Sequence, residues 1–352
     1  MSYISFQPKD YFNTLTYSGT GGNGTTTTQA ITGAGFQPDW VWLKQRTGTQ
    51  AHMLCDAVRG ANNILKSNST SPAQADTEII NSFDSDGFTA GYQDQANDIG
   101  ATYVSWLWKA GTTSGIATNG STTITPSSYS FSQASGFSIL KYSGNGTAGA
   151  YLAHGLGKEP HVVIAISTNL SGEPWQVYSK DLGNDKRLFL NLTNAETSAS
   201  EWNSTTPDTV NIRLGDGTHI NSSGNTFIAY CFAEIPGFSA FGKYEGNGNA
   251  EGGPFVYCGF KPSLVISKAK GTTENWSMYD GKRLGYNPAH SRLYPNLTTA
   301  EGAETQLDFL SNGFKVRSGG SGHLNSNGQG YFYMAFAEAP FVGTNDVPVN
   351  AR

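Results

Sequence analysis

Asp84 and Asp86, in FDSDGF, are the closest approach in this chain to a pair of catalytic acids. Glycoside hydrolysis needs two carboxyl groups roughly 5–10 Å apart across the scissile bond. Asp86 precedes Gly87, however, and Asp-Gly is a type I′ turn pair, so the turn explains the residue without catalysis. The same pattern recurs as FLSNGF at 309–314, where copy three has Ser311-Asn312-Gly313 at the turn. A calcium site is the lesser alternative. The Glu-x-Asp-x-x-Glu strand of sandwich glucanases is absent. Glu234 and Glu338 both end a Phe-Ala-Glu stretch and read as structural. Six histidines (His52, His154, His161, His219, His290 and His323) are scattered, and none has the i, i+4 spacing of a helical zinc site. Only His219 and His323 fall at comparable places. GSGH at 320–323 reads as a loop, no Gly-x-Ser-x-Gly elbow stands between a strand and a helix, and no glycine-rich stretch ends in Gly-Lys-Ser/Thr. The expectation is a protein with no catalytic residue, no metal and no cofactor.

Stacking on sugars is the remaining chemistry. Trp40 and Trp42 alternate on one strand, as do Trp106 and Trp108, while Trp175 and Trp276 hold one place in two similar stretches where His52 stands in a third. Recurrence inside one chain favours packing. Trp202, in the polar stretch SEWNSTTPD, lacks such a counterpart and is the residue expected to bind glycan at the surface.

The elements that must carry these residues are strands. The chain has 352 residues, with 43 glycines, 12% aromatic residues and only 14% charged residues. Aromatic and β-branched residues build strands, and Gly and Asn build corners. A net charge of −5 argues against a nucleic-acid partner. No apolar run reaches the ~20 residues of a membrane-spanning helix, and MSYISFQPKDYF has no apolar core of a secretory signal. Cys55, Cys231 and Cys258 are too few for a disulfide framework and are expected to be free thiols in a protein made in a cytosol. The N-x-S/T triplets, such as those at Asn191 and Asn296, are expected to be unmodified.

One unit is written three times. Each copy opens on a tyrosine strand (Tyr17, Tyr142, Tyr244), then a Gly-x-x-Pro corner (Gly35/Pro38, Gly157/Pro160, Gly259/Pro262) leads into DWVWLK, HVVIAI or SLVISK. A second apolar stretch follows: HMLCD, WQVYS or WSMYD. Copies two and three share LNLTNAE and PNLTTAE, which copy one echoes as KSNSTSPAQ. Asp86-Gly87 and Asn312-Gly313 then mark hairpins, with Asp216-Gly217 in the equivalent region of copy two. Each copy closes on an aromatic strand. A Thr followed three residues later by Glu suggests short helical turns near Thr193–Ala199 and Thr298–Glu304. The expected fold is mostly β: three tandem sandwich or jelly-roll-like domains of about 100 residues each. The boundaries are 1–111 (N-terminal stretch plus repeat 1), a Ser/Thr-rich connector at 112–135, repeat 2 at 136–236, repeat 3 at 237–341 and a tail at 342–352. Tyr3, Phe6, Tyr11 and Phe12 lie outside the repeat anchors and suggest attachment to a neighbouring chain; an edge strand of copy one is the alternative.

Residues 136–341, through GFSILKYSGNGTAGAYLAHGLGKEP, WQVYSKDLGNDKRLFLNLTNAE, GNTFIAYCFAE, FVYCGFKP, FLSNGFKVRS and YMAFAEAPF, resemble a repeat domain of marine bacteriophage structural proteins, and the first half looks like the variant that opens such proteins. The resemblance implies a lectin-like, tail-fibre-like protein on the virion surface, made in the host cytoplasm and free of membrane insertion. It implies other virion proteins, further copies of itself and host-surface glycan as partners. The expected function is non-enzymatic adhesion. A capsid or tail decoration protein without a ligand is the alternative, and a polysaccharide depolymerase a distant third.

Overall fold

The computed structural model describes residues 7–337 apart from residues 23, 285 and 321. Copy one contains β1 (Phe12–Ser18), β2 (Gln29–Thr32), β3 (Trp40–Gln45), β4 (Met53–Asp56) and β5 (Gly60–Lys66). It continues with β6 (Gln74–Ala75), β7 (Ile80–Asp84), β8 (Gly87–Ala90), the helical turn α1 (Asp94–Asn97) and β9 (Thr102–Trp108). Copy two contains β10 (Ser128–Ser132), β11 (Phe137–Ser143), β12 (Ala150–Ala153), β13 (Val162–Ser167) and β14 (Gln176–Ser179). Its remainder is β15 (Lys186–Phe189), β16 (Thr197–Ser198), β17 (Asn211–Leu214), α2 (Thr218–Asn221) and β18 (Thr226–Phe232). Copy three has β19 (Ser239–Glu245), β20 (Phe255–Tyr257), β21 (Pro262–Ala269) and β22 (Ser277–Asp280). It ends with β23 (Ala289–Arg292), β24 (Gly302–Leu310), β25 (Gly313–Val316) and β26 (Gly330–Ala337).

Each copy is two antiparallel sheets, the first larger than the second in copies one and two and both of four strands in copy three. The first sheets run β1-β9-β3-β4-β5-β6, β10-β11-β18-β13-β14-β15-β16 and β19-β26-β21-β22. The second sheets are β2-β8-β7, β12-β17 and β20-β25-β24-β23. The architecture is mostly β and sandwich-like, as the composition requires. Pro38 and Pro160 stand just before β3 and β13, and Pro262 opens β21, where a missing N–H costs no central ladder bond. The β7–β8 and β24–β25 hairpins form where expected, but not through type I′ Asp-Gly and Asn-Gly pairs: Gly87 and Gly313 already pair with Asp84 and Leu310, so Ser85-Asp86 and Ser311-Asn312 make the turns, and neither Asp86 nor Asn312 has the positive φ that type I′ requires.

Alternation decides what lies between the sheets. One face of β3, β13 and β21 carries Val41 and Leu43, Val163 and Ala165, or Val265. These side chains fill three separate cores, each between the two sheets of one copy. The opposite face carries Trp40 and Trp42, Val162 and Ile164, or Leu264 and Ile266. All of these belong to a fourth core, shared by the three copies. Trp106, Trp108, Trp175, Trp276, Tyr230, Phe232 and Phe336 complete it, each at most 2% exposed. Trp40 stacks on Tyr230 of copy two at 4.3 Å, and Phe12 on Phe336 of copy three at 5.4 Å. Fully burying one such side chain contributes about 2–3 kcal/mol.

Backbone contacts repeat around this core in cyclic order. Ala73 N–H of copy one donates to Thr168 O of copy two (2.9 Å), Glu196 N–H of copy two to Lys270 O of copy three (2.7 Å), and Glu301 N–H of copy three to Arg46 O of copy one (2.8 Å). Donors and acceptors occupy the same repeat position in each case. The three copies therefore close into a ring, and cyclic closure of like units is achieved inside one chain.

Several expectations need correction. Residues 193–199 and 298–304 form no helix; they contain β16 and the start of β24. Asp216-Gly217 makes no hairpin but leads into α2. Residues 128–132, inside the connector, form β10 and pair with β11. Tyr11 and Phe12 are not a free aromatic surface: Phe12 opens β1 in the shared core, 0% exposed, and Tyr11 packs against that core. Tyr3, Phe6 and the tail at 342–352 lie outside the described residues.

Candidate surface-contact site

Trp202 is 1% exposed, so it offers no face to a sugar, and the glycan-binding expectation for it is withdrawn. Counted from the shared Asn-Leu-Thr (Asn191 and Asn296), Trp202 falls at the position of Leu307 in β24. It performs the same task, filling the copy-two core edge-on to Tyr178 at 5.5 Å. One ladder bond of the missing strand survives: Gly215 N–H donates to Glu201 O (2.7 Å) as Arg317 N–H does to Gln306 O (2.8 Å).

The polar residues singled out by type are committed to structure. Asp86 accepts Gly33 and Gly35 N–H at 2.9 and 2.7 Å, and these bonds hold its carboxyl below the usual range. Asp84 accepts the hydroxyls of Ser82 and Thr89. His52 sits in the core position of Trp175 and Trp276, where its Nδ1 accepts Trp42 Nε1–H at 2.8 Å. Burial, then the Lys44 ammonium, pushes the His52 pKa well down. His154 is buried beside Asp208 O, and burial lowers its pKa to about 4. His161 pairs with Asp181 at 2.6 Å. The side chain of His290 lies outside the description.

His219 and His323 are in equivalent surroundings. His219 contacts Glu173 and His323 contacts Glu274 (2.9 Å), both glutamates standing two residues before the core tryptophan. Copy one has Gln50 and Gln95 at these places. Glu201 beside His219 is held by Arg187, and Glu304 is held by Arg292. Among the described residues, no group of three His, Cys, Asp or Glu could hold a metal ion. A cleft of about 190 Å³ between the β4–β5 turn and Ser127–Ser130 is smaller than the ~300 Å³ at which ligand pockets begin.

Three asparagines escaped the sequence reading. Asn97, Asn221 and Asn325, all 0% exposed, follow the residue whose carbonyl accepts the opening tyrosine: Tyr17 to Ala96, Tyr142 to Ile220, Tyr244 to Leu324. Each asparagine Oδ1 takes backbone N–H groups of the Gly-rich loop after that tyrosine, such as Asn145 and Asn247. The triplets QAN, HIN and HLN were the available signal.

Among the described residues the large hydrophobic side chains facing solvent are Ile99 of copy one, 75% exposed and alone there, and a group on the rim of copy three. Phe255 and Tyr257, 47% and 68% exposed, alternate on β20 with buried Val256 between them. Lys315 stands opposite Phe255, and Asp308 opposite Lys315. Asp308 also pairs with Arg317 at 3.3 Å. The outer face of this sheet is thus two aromatic rings beside a small charged group. In copy two the corresponding ring, Tyr151, is covered by the Arg213 guanidinium at 3.9 Å. Copy one carries Ala30 and Thr32 there. Tyr286, 67% exposed, also belongs to copy three.

No curated protein matches the chain. One family does match, across residues 7–340, a span that takes in all three copies and therefore the whole ring. The chain belongs to that family, described as a domain of unknown function (DUF7483).

Proposed function

We infer that this protein is a non-enzymatic component of a bacteriophage particle that works by surface contact, as an adhesin of tail-fibre type. The observation that carries the reading is the rim of copy three. Phe255 and Tyr257 are exposed on one strand of a molecule that buries every tryptophan. Exposed rings flanked by paired charges suit a binding surface, where aromatic area stabilises and a polar edge orients. The closed ring suits presentation, because a shared core holds that rim rigidly. The resemblance to phage repeat domains supplies the particle. Host-surface glycan and other virion proteins are the partners in this reading. The decoration-protein alternative is favoured by one feature, the edge of β20 that no strand among the described residues pairs, which suits a protein partner better than a sugar.

The test is a map of the virion together with a Phe255→Ser/Tyr257→Ser double variant. The reading expects the ring at a tail appendage, with copy three outward. It expects the variant to lose host adsorption at an unchanged melting temperature. Absence of the chain from purified particles would refute it, and a position flat against the head would favour decoration.

A further inference from the structure

The ring contains one edge that is covered and an equivalent edge that is not. In copy two, β12 lies at the edge of its sheet, and residues 122–124 of the connector cover it. Ile124 forms a parallel bridge with Leu152. Thr123 and Ile124 N–H donate to Tyr151 O at 3.0 and 2.9 Å, and Ala153 N–H donates to Ile124 O at 3.1 Å. The Thr123 hydroxyl accepts Tyr151 N–H at 2.8 Å, and Ile124 is buried in the copy-two core. The same connector supplies β10 to the edge of β11, so both outer edges of copy two are sealed.

Copy three repeats the receiving half of this arrangement. Leu152 opposite Ile212 and Val256 opposite Phe314 are the corresponding buried cross-strand pairs. Val316 N–H donates to Pro254 O at 3.0 Å, so the backbone groups of Pro254 and Val256 face β25. Antiparallel ladders alternate. The carbonyl of Phe255 and the N–H of Tyr257 therefore face the other way, where Tyr151 O and Ala153 N–H engage the connector in copy two. Among the described residues, no strand pairs with that side of β20, and β19 likewise has a partner only on its β26 side. The corner glycine tells the same story. A Cβ on Gly157 would meet connector residue Gln133 at 3.0 Å, whereas the three atoms nearest to one on Gly259 all belong to Tyr257 of its own copy, the first at 3.7 Å. The link from β18 to β19 is too short to provide a cover of its own.

We propose that the outer edge of β20 is an acceptor for an extended segment of a partner protein, added parallel to the strand as residues 122–124 are added to β12. The chemistry of the occupant follows from that internal example: an uncharged, β-branched segment with one apolar side chain directed inward, its backbone bonded to Phe255 O and Tyr257 N–H. Phe255 and Tyr257 would flank it. Copy one has the same backbone edge but only Ala30 and Thr32 beside it, so copy three is the docking copy. This inference rests on the surface-contact reading and names its mode: backbone recognition by strand addition.

The experiment uses the full chain and a synthetic peptide of residues 118–126, TNGSTTITP, at about 1–5 mM, the affinity range of a short unanchored strand. Amide hydrogen exchange is measured in the wild-type protein and in Tyr257→Ser and Tyr257→Pro. Because the Tyr257 N–H faces away from β25, proline leaves the β20–β25 ladder intact, which an unchanged melting temperature verifies. The expected result is exchange at Tyr257 slowed about two- to sixfold by the peptide, position 257 similarly protected in Tyr257→Ser, and no peptide-dependent protection anywhere on β20 in Tyr257→Pro. A scrambled peptide should have no effect. Absence of protection in the wild type, or protection that survives in Tyr257→Pro, would overturn the proposal. Glycan binding lost equally in both variants, without peptide protection, would show a side-chain platform instead: strand addition would fail and the surface-contact reading would stand.

Discussion

Replacing Asp56 with alanine should loosen the ring at one junction and cost more than any surface change. Asp56 ends β4 in the shared core, 0% exposed. Its carboxylate accepts Arg59 Nε–H at 2.6 Å, Arg59 backbone N–H at 2.8 Å and, across the junction, the hydroxyl of Tyr230 from copy two at 2.7 Å. The Arg59 side chain is only 3% exposed. Alanine therefore leaves the buried guanidinium without its counter-ion, bonded only to Leu54 O, Asn63 O and the Tyr230 hydroxyl oxygen, and leaves the Tyr230 O–H without its acceptor. Removing one partner of a buried ion pair costs about 3–5 kcal/mol, and the unpaired hydroxyl adds about 1 kcal/mol. Tyr230→Phe, which removes only the hydroxyl, should cost about 1–2 kcal/mol. Copy three has the same device in Asp280, Arg283 and Trp106 Nε1–H of copy one, at 3.1 Å from Asp280 Oδ2. Copy two has Ser179 at the aligned position, so Ser179→Ala should change stability by less than about 1 kcal/mol. Equilibrium unfolding in guanidinium chloride reads all three variants. An Asp56→Ala loss below about 1 kcal/mol, or one smaller than that of Tyr230→Phe, would refute the junction argument.

Asn325→Ala removes the acceptor of Asn247 N–H and the donor to Ser318 O and Asn249 O, and should cost about 2–4 kcal/mol in the same assay. Stability should fall on acidification. His154 has its pKa depressed to about 4 by burial, so the unfolded chain binds the proton first; the full contribution is present above pH ~6.5 and about 3 kcal/mol is lost as pH drops toward 4, which His154→Asn should flatten. Lys268, 0% exposed, has its pKa lowered to about 8 by burial, and its Nζ donates to Ala269 O and Thr193 O. Ile166 occupies the aligned place in copy two, so Lys268→Met should be neutral or stabilising by about 1–2 kcal/mol at pH 7, with the advantage shrinking as pH rises toward 10.5.

Much of the fold was legible because the repeats mark their own corners. Tyr17, Tyr142 and Tyr244, the Gly-x-x-Pro corners and the Asn-Gly or Asp-Gly pairs fix strand starts by local chemistry, and β1, β11, β19 and the two hairpins appear where those signals stand. The ring was not legible. Trp40, Trp42, Trp106 and Trp108 signal one buried face, but a period of two shows only that a face is buried and not what buries it. Here that partner is another copy. Trp202 misled because copy two lacks the strand that Gly302–Leu310 provides in copy three; a polar loop folds over the core instead and its single large side chain fills the hole. Asn97, Asn221 and Asn325 were missed because a buried asparagine looks like any turn residue until the loop it satisfies is known. The contact rim was equally hidden. Phe255 and Val256 are both apolar, and only the register with Lys315 and Phe314 decides which one meets water.

The central claim is that three copies form one closed body around a shared core. Differential scanning calorimetry of the full chain tests it most directly. One core shared by all copies predicts a single transition whose calorimetric and van't Hoff enthalpies agree, and in Asp56→Ala the whole transition should move down as one. Two or three separable transitions, with Asp56→Ala shifting one and leaving the others in place, would contradict the account.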